Sequence, residues 1–147
     1  MKFSTRTRYG LRAILEIALN GSGGGIYQKD IAANQNLSYK YLDHIINSLK
    51  VAGLVTKAGG RRSGYIITRK PSEITIYDIH SAFEPGVCVV DCVSENYLCK
   101  RKDICALFGF WGNLNRQFVE ILKSTTLEDI MNEQSKLGEI TNTTLCE

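Results

Sequence analysis

A mainly α fold with a small β-wing, ending in a long C-terminal helix, is what this 147-residue chain predicts. Three observations carry that expectation. Apolar residues recur at three- and four-residue spacing in several stretches on both sides of the middle. A Gly-Gly-Arg-Arg-Ser-Gly segment separates two short β-prone runs. Charge divides along the chain: residues 1–70 hold 12 Lys+Arg against 3 Asp+Glu, a net +9, whereas residues 71–147 hold 6 against 12, a net −6.

The first helix is predicted over Thr7–Asn20, where Leu11, Ile14, Leu15 and Ala18 share one face opposite Arg8, Arg12 and Glu16. The glycine-rich run Gly21–Gly25 stops it. No strand precedes that run and no Lys-Ser/Thr pair follows it, so it is a turn and not a phosphate loop. A short helix follows over Gln28–Asn34. Ser38 is placed to cap a longer helix reaching Val51, with Leu42, Ile45, Ile46 and Leu49 as its buried stripe and Lys40, Asp43, His44 and Asn47 facing away. Gly53 ends it. Leu54–Ala58 and Tyr65–Thr68 read as paired strands. Helix, helix, helix and hairpin in that order is a winged helix-turn-helix.

Ile74–Phe83 predicts another short helix before Pro85-Gly86. Cys88–Cys105 lacks periodicity and reads as loop. Beyond it Leu107, Trp111, Leu114, Phe118 and Ile121 follow the 3.5-residue repeat of a helix that packs on another helix. Thr125 and Glu128 resemble a capping box opening a last short helix, Leu127–Asn132. The expected division is therefore 1–84 as the DNA-binding domain, 85–105 as the cysteine-rich loop, 106–134 as the long helix with a short terminal helix, and 135–147 as a flexible tail.

The early arginines leave no apolar run suited to a signal peptide, and no stretch approaches the roughly 20 apolar residues of a membrane span. The expectation is a cytoplasmic chain with no membrane contact. Five cysteines in such a setting point to metal binding or redox chemistry more than to structural disulfides.

The basic half has the chemistry of a DNA reader. A major groove admits an α-helix and is read by residues near its N-terminus. Ser38 and Lys40 suit phosphates, Tyr39 and Tyr41 suit backbone or bases, Asp43 suits an amino donor such as cytosine N4, and His44 shares their face. Gln28, opening the preceding helix, is grouped with them. Arg61 and Arg62 at the wing tip suit the negative potential of a minor groove. Arg8 and Arg12 suit either flanking phosphates or packing at the core edge.

The cysteines run Cys88-x3-Cys92-x6-Cys99-x5-Cys105. Zinc ribbons need closer pairs. Thiolates interleaved with Lys100, Arg101 and Lys102 better suit an iron–sulfur cluster, and a set of unligated thiols stands as the alternative. Cys88 sits in an apolar run and reads as core; Cys146 reads as incidental.

Two segments then carry a family likeness. MKFSTRTRYGLRAILEIA and IAANQNLSYKYLDHIINSLKVAGLVTKAGGRRSGYIITR resemble the first helix and the helix-turn-helix of the IscR/NsrR/CymR group, the Rrf-two family of bacterial winged-helix regulators. Val87–Trp111 resembles that family's three-cysteine loop. The resemblance spans nearly the whole chain to about residue 134. It implies a homodimer joined through the helix near Ala106–Lys123, with Leu107, Trp111, Leu114, Phe118 and Ile121 in the seam, on a partly palindromic double-stranded site. It also implies DNA contacts from Ser38, Lys40, Tyr41, Asp43 and Gly60–Arg62, and an iron–sulfur cluster on Cys92, Cys99 and Cys105, [2Fe–2S] ahead of [4Fe–4S]. This sequence departs from the group in three places. Phe108 stands where a His follows the last cysteine, Arg8 stands where one branch has an Asp, and the x6 spacing is one residue longer. The fourth ligand is open among Cys88, Asp91, Glu95, Asp103 and a partner residue.

The resulting expectation is a homodimeric repressor governed by a cluster, with a cluster-free regulator sensing thiol oxidation or a partner protein as the alternative. Without a C-x-x-C pair or a histidine near a cysteine, an enzyme with a small-molecule substrate is not expected.

Overall fold

The computed structural model describes residues 3–60, 63–94 and 97–144, with side chains described through residue 138. Six helices and one two-stranded sheet are present among them: α1 (Thr5–Asn20), α2 (Gln28–Gln35), α3 (Tyr39–Val51), β1 (Val55–Lys57), β2 (Tyr65–Ile67), α4 (Ile76–Ser81), α5 (Ala106–Ser124) and α6 (Leu127–Thr144). The order helix, helix, helix, hairpin matches the sequence reading, each element within two or three residues of its expected ends.

Local chemistry sets these boundaries. Ser4 accepts from Thr7 N–H to start α1, and Ser38 accepts from Tyr41 N–H to start α3. Asn36 adopts the left-handed conformation that closes α2, a role an asparagine fills at little cost. β1 and β2 pair antiparallel, Val55 opposite Ile67 and Lys57 opposite Tyr65. Ile26 adds a bridge to Tyr65 and so ties the segment before α2 to the wing. The two backbones meet so closely there that a Cβ on Gly25 would lie 2.5 Å from the Gly64 carbonyl carbon. Only glycine fits both positions.

The core gathers Ala13, Ile14 and Ile17 of α1, Ile31 of α2, the Leu42, Ile45, Ile46 and Leu49 stripe of α3, Leu54, Ile74, Ile79 and Leu127. It does not stop at residue 84. Leu127 is buried, its N–H bonds Ile74 carbonyl at 2.8 Å, and Ile76 N–H bonds Thr125 carbonyl at 2.9 Å. The start of α6 is thereby stitched into the basic half.

Two expectations about the C-terminus need correction. The capping pair is Thr126 with Asp129, one residue later than Thr125 and Glu128: Thr126 N–H bonds the Asp129 carboxylate and Asp129 N–H bonds the Thr126 hydroxyl. Thr125 is instead held by α5, its hydroxyl on Ile121 carbonyl. The last helix also runs to Thr144 instead of ending near Asn132, so the segment expected as a tail from 135 is mostly helix. No proline interrupts it, Ser135 bonds back to Met131 carbonyl, and Glu133 pairs with Lys136 one turn on.

Glycine sets the approach of α1 to α4. A Cβ on Gly10 would fall 2.1 Å from the Phe83 ring. Gly10→Ala should therefore destabilise by about 1–3 kcal/mol through overpacking, despite gaining roughly 1 kcal/mol of helix propensity. Urea denaturation measures the loss, and Phe83→Leu in the same chain should recover most of it.

A polar junction lies beside that contact. Thr7, fully buried, donates its hydroxyl to Glu84 at 3.2 Å, and Phe3 meets the His80 ring edge-on at 5.4 Å. His80 is buried, and its Nδ1 has no partner among the described residues. Burial holds the imidazole below its ordinary titration range and outweighs the upward pull of Glu84. The Ser4 hydroxyl, followed by that of Thr7, holds Glu84 below the ordinary carboxylate range. Both shifts have the same sign for stability. Because the unfolded chain takes up a proton at His80 more readily than the folded chain, stability falls as pH drops through the ordinary histidine value of 6.5. Glu84 adds its loss below the ordinary carboxylate value of 4.5. Thermal melts between about pH 7 and 5 should show a falling Tm in the wild type and a flatter profile in His80→Phe. The other histidine, His44, is exposed.

Candidate DNA interface and cysteine loop

Burial of the α3 stripe turns the opposite face outward. Ser38, Tyr39, Lys40, Asp43, His44 and Asn47 are all exposed, so the residues read as DNA contacts share one open surface. Tyr41 departs from that group. It is half-buried, and its ring packs edge-on against Tyr9 of α1 at 5.8 Å. Gln28 departs further. Only 8% exposed, it donates its amide to Asp43 Oδ1 at 3.3 Å and to Tyr39 carbonyl at 3.4 Å. It lies beneath the reading face instead of on it.

The α1 cations divide as well. Arg8 is exposed and, among the described residues, held by one long side-chain bond to Thr5. Arg12 takes the packing role: its guanidinium bonds the Gln35 side chain at 2.9 Å and the Gln35 carbonyl at 2.7 Å, and lies over the Tyr9 ring. Glu16 completes the clamp by accepting from Asn34 and Gln35. α1 thus holds the C-terminal end of α2 and fixes the turn between α2 and α3. Sequence periodicity placed Arg12 and Glu16 on an outer face without disclosing this, because their partners belong to another helix.

Gly59 and Gly60 at the wing tip both have positive φ and are exposed. Arg61 and Arg62 lie outside the described residues. Lys57 on β1 lies over the Tyr65 ring, a contact the sequence did not single out. Among the described residues the ion pair present is Lys136 with Glu133, far along the chain from the basic half. Arg6, Arg8, Lys29, Lys40, Lys50, Lys57, Arg69 and Lys70 are exposed and form no ion pair among the described residues. Their charge is available to a polyanion.

On α5 the predicted seam splits. Leu107, Leu114 and Ile121 are exposed, with Phe110 beside them. Trp111 and Phe118 are half-buried, Trp111 against Phe110 and Phe118 against Phe3 of the same chain. Phe110 escaped the sequence reading because it falls between positions of the 3.5-residue repeat.

The cysteine segment is loop with two single 3-10 turns, Asp91–Val93 and Lys102–Ile104. Val89 N–H bonds Asn115 of α5 at 2.9 Å, and Cys105 occupies the N-cap position of α5. Cys88, Cys92, Cys99 and Cys105 are all free and half-buried. Cys88, expected as core, donates to Val90 carbonyl and lines a cavity with Phe3, Ser4, His80 and Glu84. Glu95 and Cys146 lie outside the described residues. The donor types suit an iron–sulfur cluster, but their arrangement here does not. Among the described residues no three Cys, His, Asp or Glu side chains converge into a metal-binding group. Among the described residues no helix is long and apolar enough to cross a membrane.

Comparison with known proteins agrees with this architecture. The profile of the Rrf2 family, described as an iron-dependent transcriptional regulator, matches residues 3–133. Protein rrf2 of Nitratidesulfovibrio vulgaris is 37% identical over 135 residues, covering 92% of this chain and 90% of that protein. The HTH-type transcriptional regulator IscR of Escherichia coli is 28% identical over 137 residues, covering 93% and 84%. Among solved structures, CymR, the global cysteine regulator of B. subtilis, superposes with a TM-score of 0.73 at 33% identity, covering 90% of this chain and 98% of that one. IscR of T. potens gives 0.72 at 30% identity, covering 91% and 88%. An open α3 face on a winged helix, a basic half with no ion pair among its described residues, and a match along most of the chain lead to one conclusion: this chain belongs to the Rrf2 family of DNA-binding transcriptional regulators and is not an enzyme.

Proposed function

We propose that the chain works as a homodimer on a partly palindromic operator, reads it through α3, and tunes that reading through the thiols of the 85–105 loop. The exposed α3 face carries the proposal. Ser38, Lys40 and Asn47 offer donors, Asp43 offers an acceptor, and the surrounding cations form no ion pair among the described residues. Arg8, Gly60, Arg61 and Arg62 supply flanking and wing contacts in this reading. Pairing through α5 is supported by the exposed Leu107, Phe110, Leu114 and Ile121, an apolar face that water disfavours. Two α5 helices packed there would set the separation of two α3 helices, which is what a two-fold site requires. Repression follows where such a dimer occludes a promoter.

The sensory half rests on where the loop is attached. It leaves α4 beside Phe3 and Ser4 and is anchored to α5 through Val89 and Asn115. A change in loop order would act at both ends, on the joint with α1 and on the helix that sets the dimer. Cys92, Cys99 and Cys105 would hold an iron–sulfur cluster, which when bound supplies redox- and iron-sensitive ligation. The family's description as iron-dependent and the basic residues Lys100, Arg101 and Lys102 favour this. No three of the described donors converge in this arrangement, so cluster binding requires the loop to rearrange. A second reading, direct thiol oxidation, is favoured by the free, half-buried state of the same cysteines and by the likeness to the cysteine regulator CymR.

Two measurements separate these claims. In binding across salt concentrations, Lys40→Ala should weaken affinity for all duplexes by a similar factor and lower the salt slope by about 1. An unchanged slope would remove Lys40 from the interface. Protein purified without oxygen should contain iron and sulfide and absorb in the visible, and both should vanish in the triple variant Cys92→Ala, Cys99→Ala, Cys105→Ala. A colourless, iron-free wild type with full operator binding would exclude the cluster and leave thiol oxidation.

A further inference from the structure

Gln28 and Asp43 form the feature on which the structure says more than the family does. Gln28 is the first residue of α2 and belongs to the buried set, yet it carries a polar amide. A buried amide needs partners, and this one finds them across the helix-turn-helix. Its Nε2 donates to Asp43 Oδ1 at 3.3 Å and to the Tyr39 carbonyl at 3.4 Å, both in the first turns of α3. Asp43 is exposed, and among the described residues its carboxylate has no other donor. Burial, and then the Asp43 charge, push the Tyr65 hydroxyl of β2 up from its ordinary value.

We infer that Gln28 is a positioning residue for sequence readout: from beneath α3 it holds one oxygen of Asp43, so that the other meets the bases in a fixed direction. This rests on the proposed reading of α3 as the groove-entering helix. An ionised carboxylate only accepts, so a held Asp43 favours a base edge that presents an amino group, cytosine N4 or adenine N6. It disfavours guanine, whose major-groove edge presents the acceptors O6 and N7. A carboxylate free to rotate would discriminate less, because its orientation would have to be fixed anew in each complex. The bond to Tyr39 carbonyl holds the amide itself in place, so Gln28 sets the rotamer of the reading residue.

The test uses the full chain and a pool of random duplexes. Wild type, Gln28→Leu, Asp43→Ala and the double variant are each selected on the pool, and binding is then measured on the wild-type consensus and its single-base substitutions. Gln28→Leu should cut the preference at the base pair read by Asp43 about tenfold, while affinity for unrelated duplexes and the salt slope stay unchanged. In the Asp43→Ala background the Gln28 substitution should then have no effect on base preference. Gln28→Met, which keeps the length and bulk of the side chain, stands in if Gln28→Leu does not fold. An unchanged base preference in the Gln28 variant overturns the positioning role while leaving the interface reading intact. So does an equal loss of affinity on every duplex, or an effect that adds to that of Asp43→Ala. A wild type that enriches no sequence overturns the interface reading and this inference together.

Discussion

Burial of one stripe of α3 governs the rest of this structure. Leu42, Ile45, Ile46 and Leu49 are each no more than 1% exposed. Because an α-helix turns 100° per residue, sinking those four leaves no freedom in the facing of the others. Tyr39, Lys40, Asp43, His44 and Asn47 must point outward. The hydrophobic effect thereby aims a set of polar side chains, of which Asp43 also accepts from the buried Gln28 amide. The surrounding elements hold that orientation. α1 clamps the far end of α2 through Arg12 and Glu16, and the near end of α2 pins α3 through Gln28.

The same core joins the two halves of opposite charge. Leu127 of α6 lies among side chains from the basic half, and backbone bonds link Thr125 and Leu127 with Ile76 and Ile74. The division suggested by charge is therefore not a division of packing. α5 and α6 therefore share this joint with α4 and α1. The cysteine loop bridges the same two regions on another side, from Pro85 to its anchor at Asn115. The loop proposed as sensor and the helix proposed as reader share supports, which is the physical requirement for one to influence the other.

Much of this was legible in the sequence, and the reasons differ by element. The α3 stripe, its N-cap at Ser38 and the left-handed glycine stop at Gly53 follow from rules acting within a few residues, so periodicity and capping chemistry were enough. The last helix, α6, was foreshortened because its outer turns are polar, and polarity reads as fraying unless the helix continues from a packed start. The capping pair there slipped by one residue, since Thr125 and Thr126 are chemically equivalent until packing of Leu127 selects between them. Gln28 was grouped with DNA contacts on residue type alone, and Arg12 was left open between phosphate contact and packing at the core edge. Their actual partners, Asp43, Tyr39 and Gln35, come from other helices and cannot be read from local spacing. Phe110 was missed because the periodic rule looked for one seam. The arrangement of the thiols depends on loop conformation, where sequence carries little geometric information.

These features make a reader whose orientation is set by apolar packing and whose fine positioning is set by a few buried polar bonds. Its central claim is that α3 enters a major groove, twice per site. Methylation interference on a selected operator tests this most directly, because guanine N7 lies in the major groove and adenine N3 in the minor. Modified N7 positions should block binding in two patches about one helical turn, or a whole number of turns, apart. Interference confined to adenine N3, or none at guanine N7 anywhere in the site, would contradict the account.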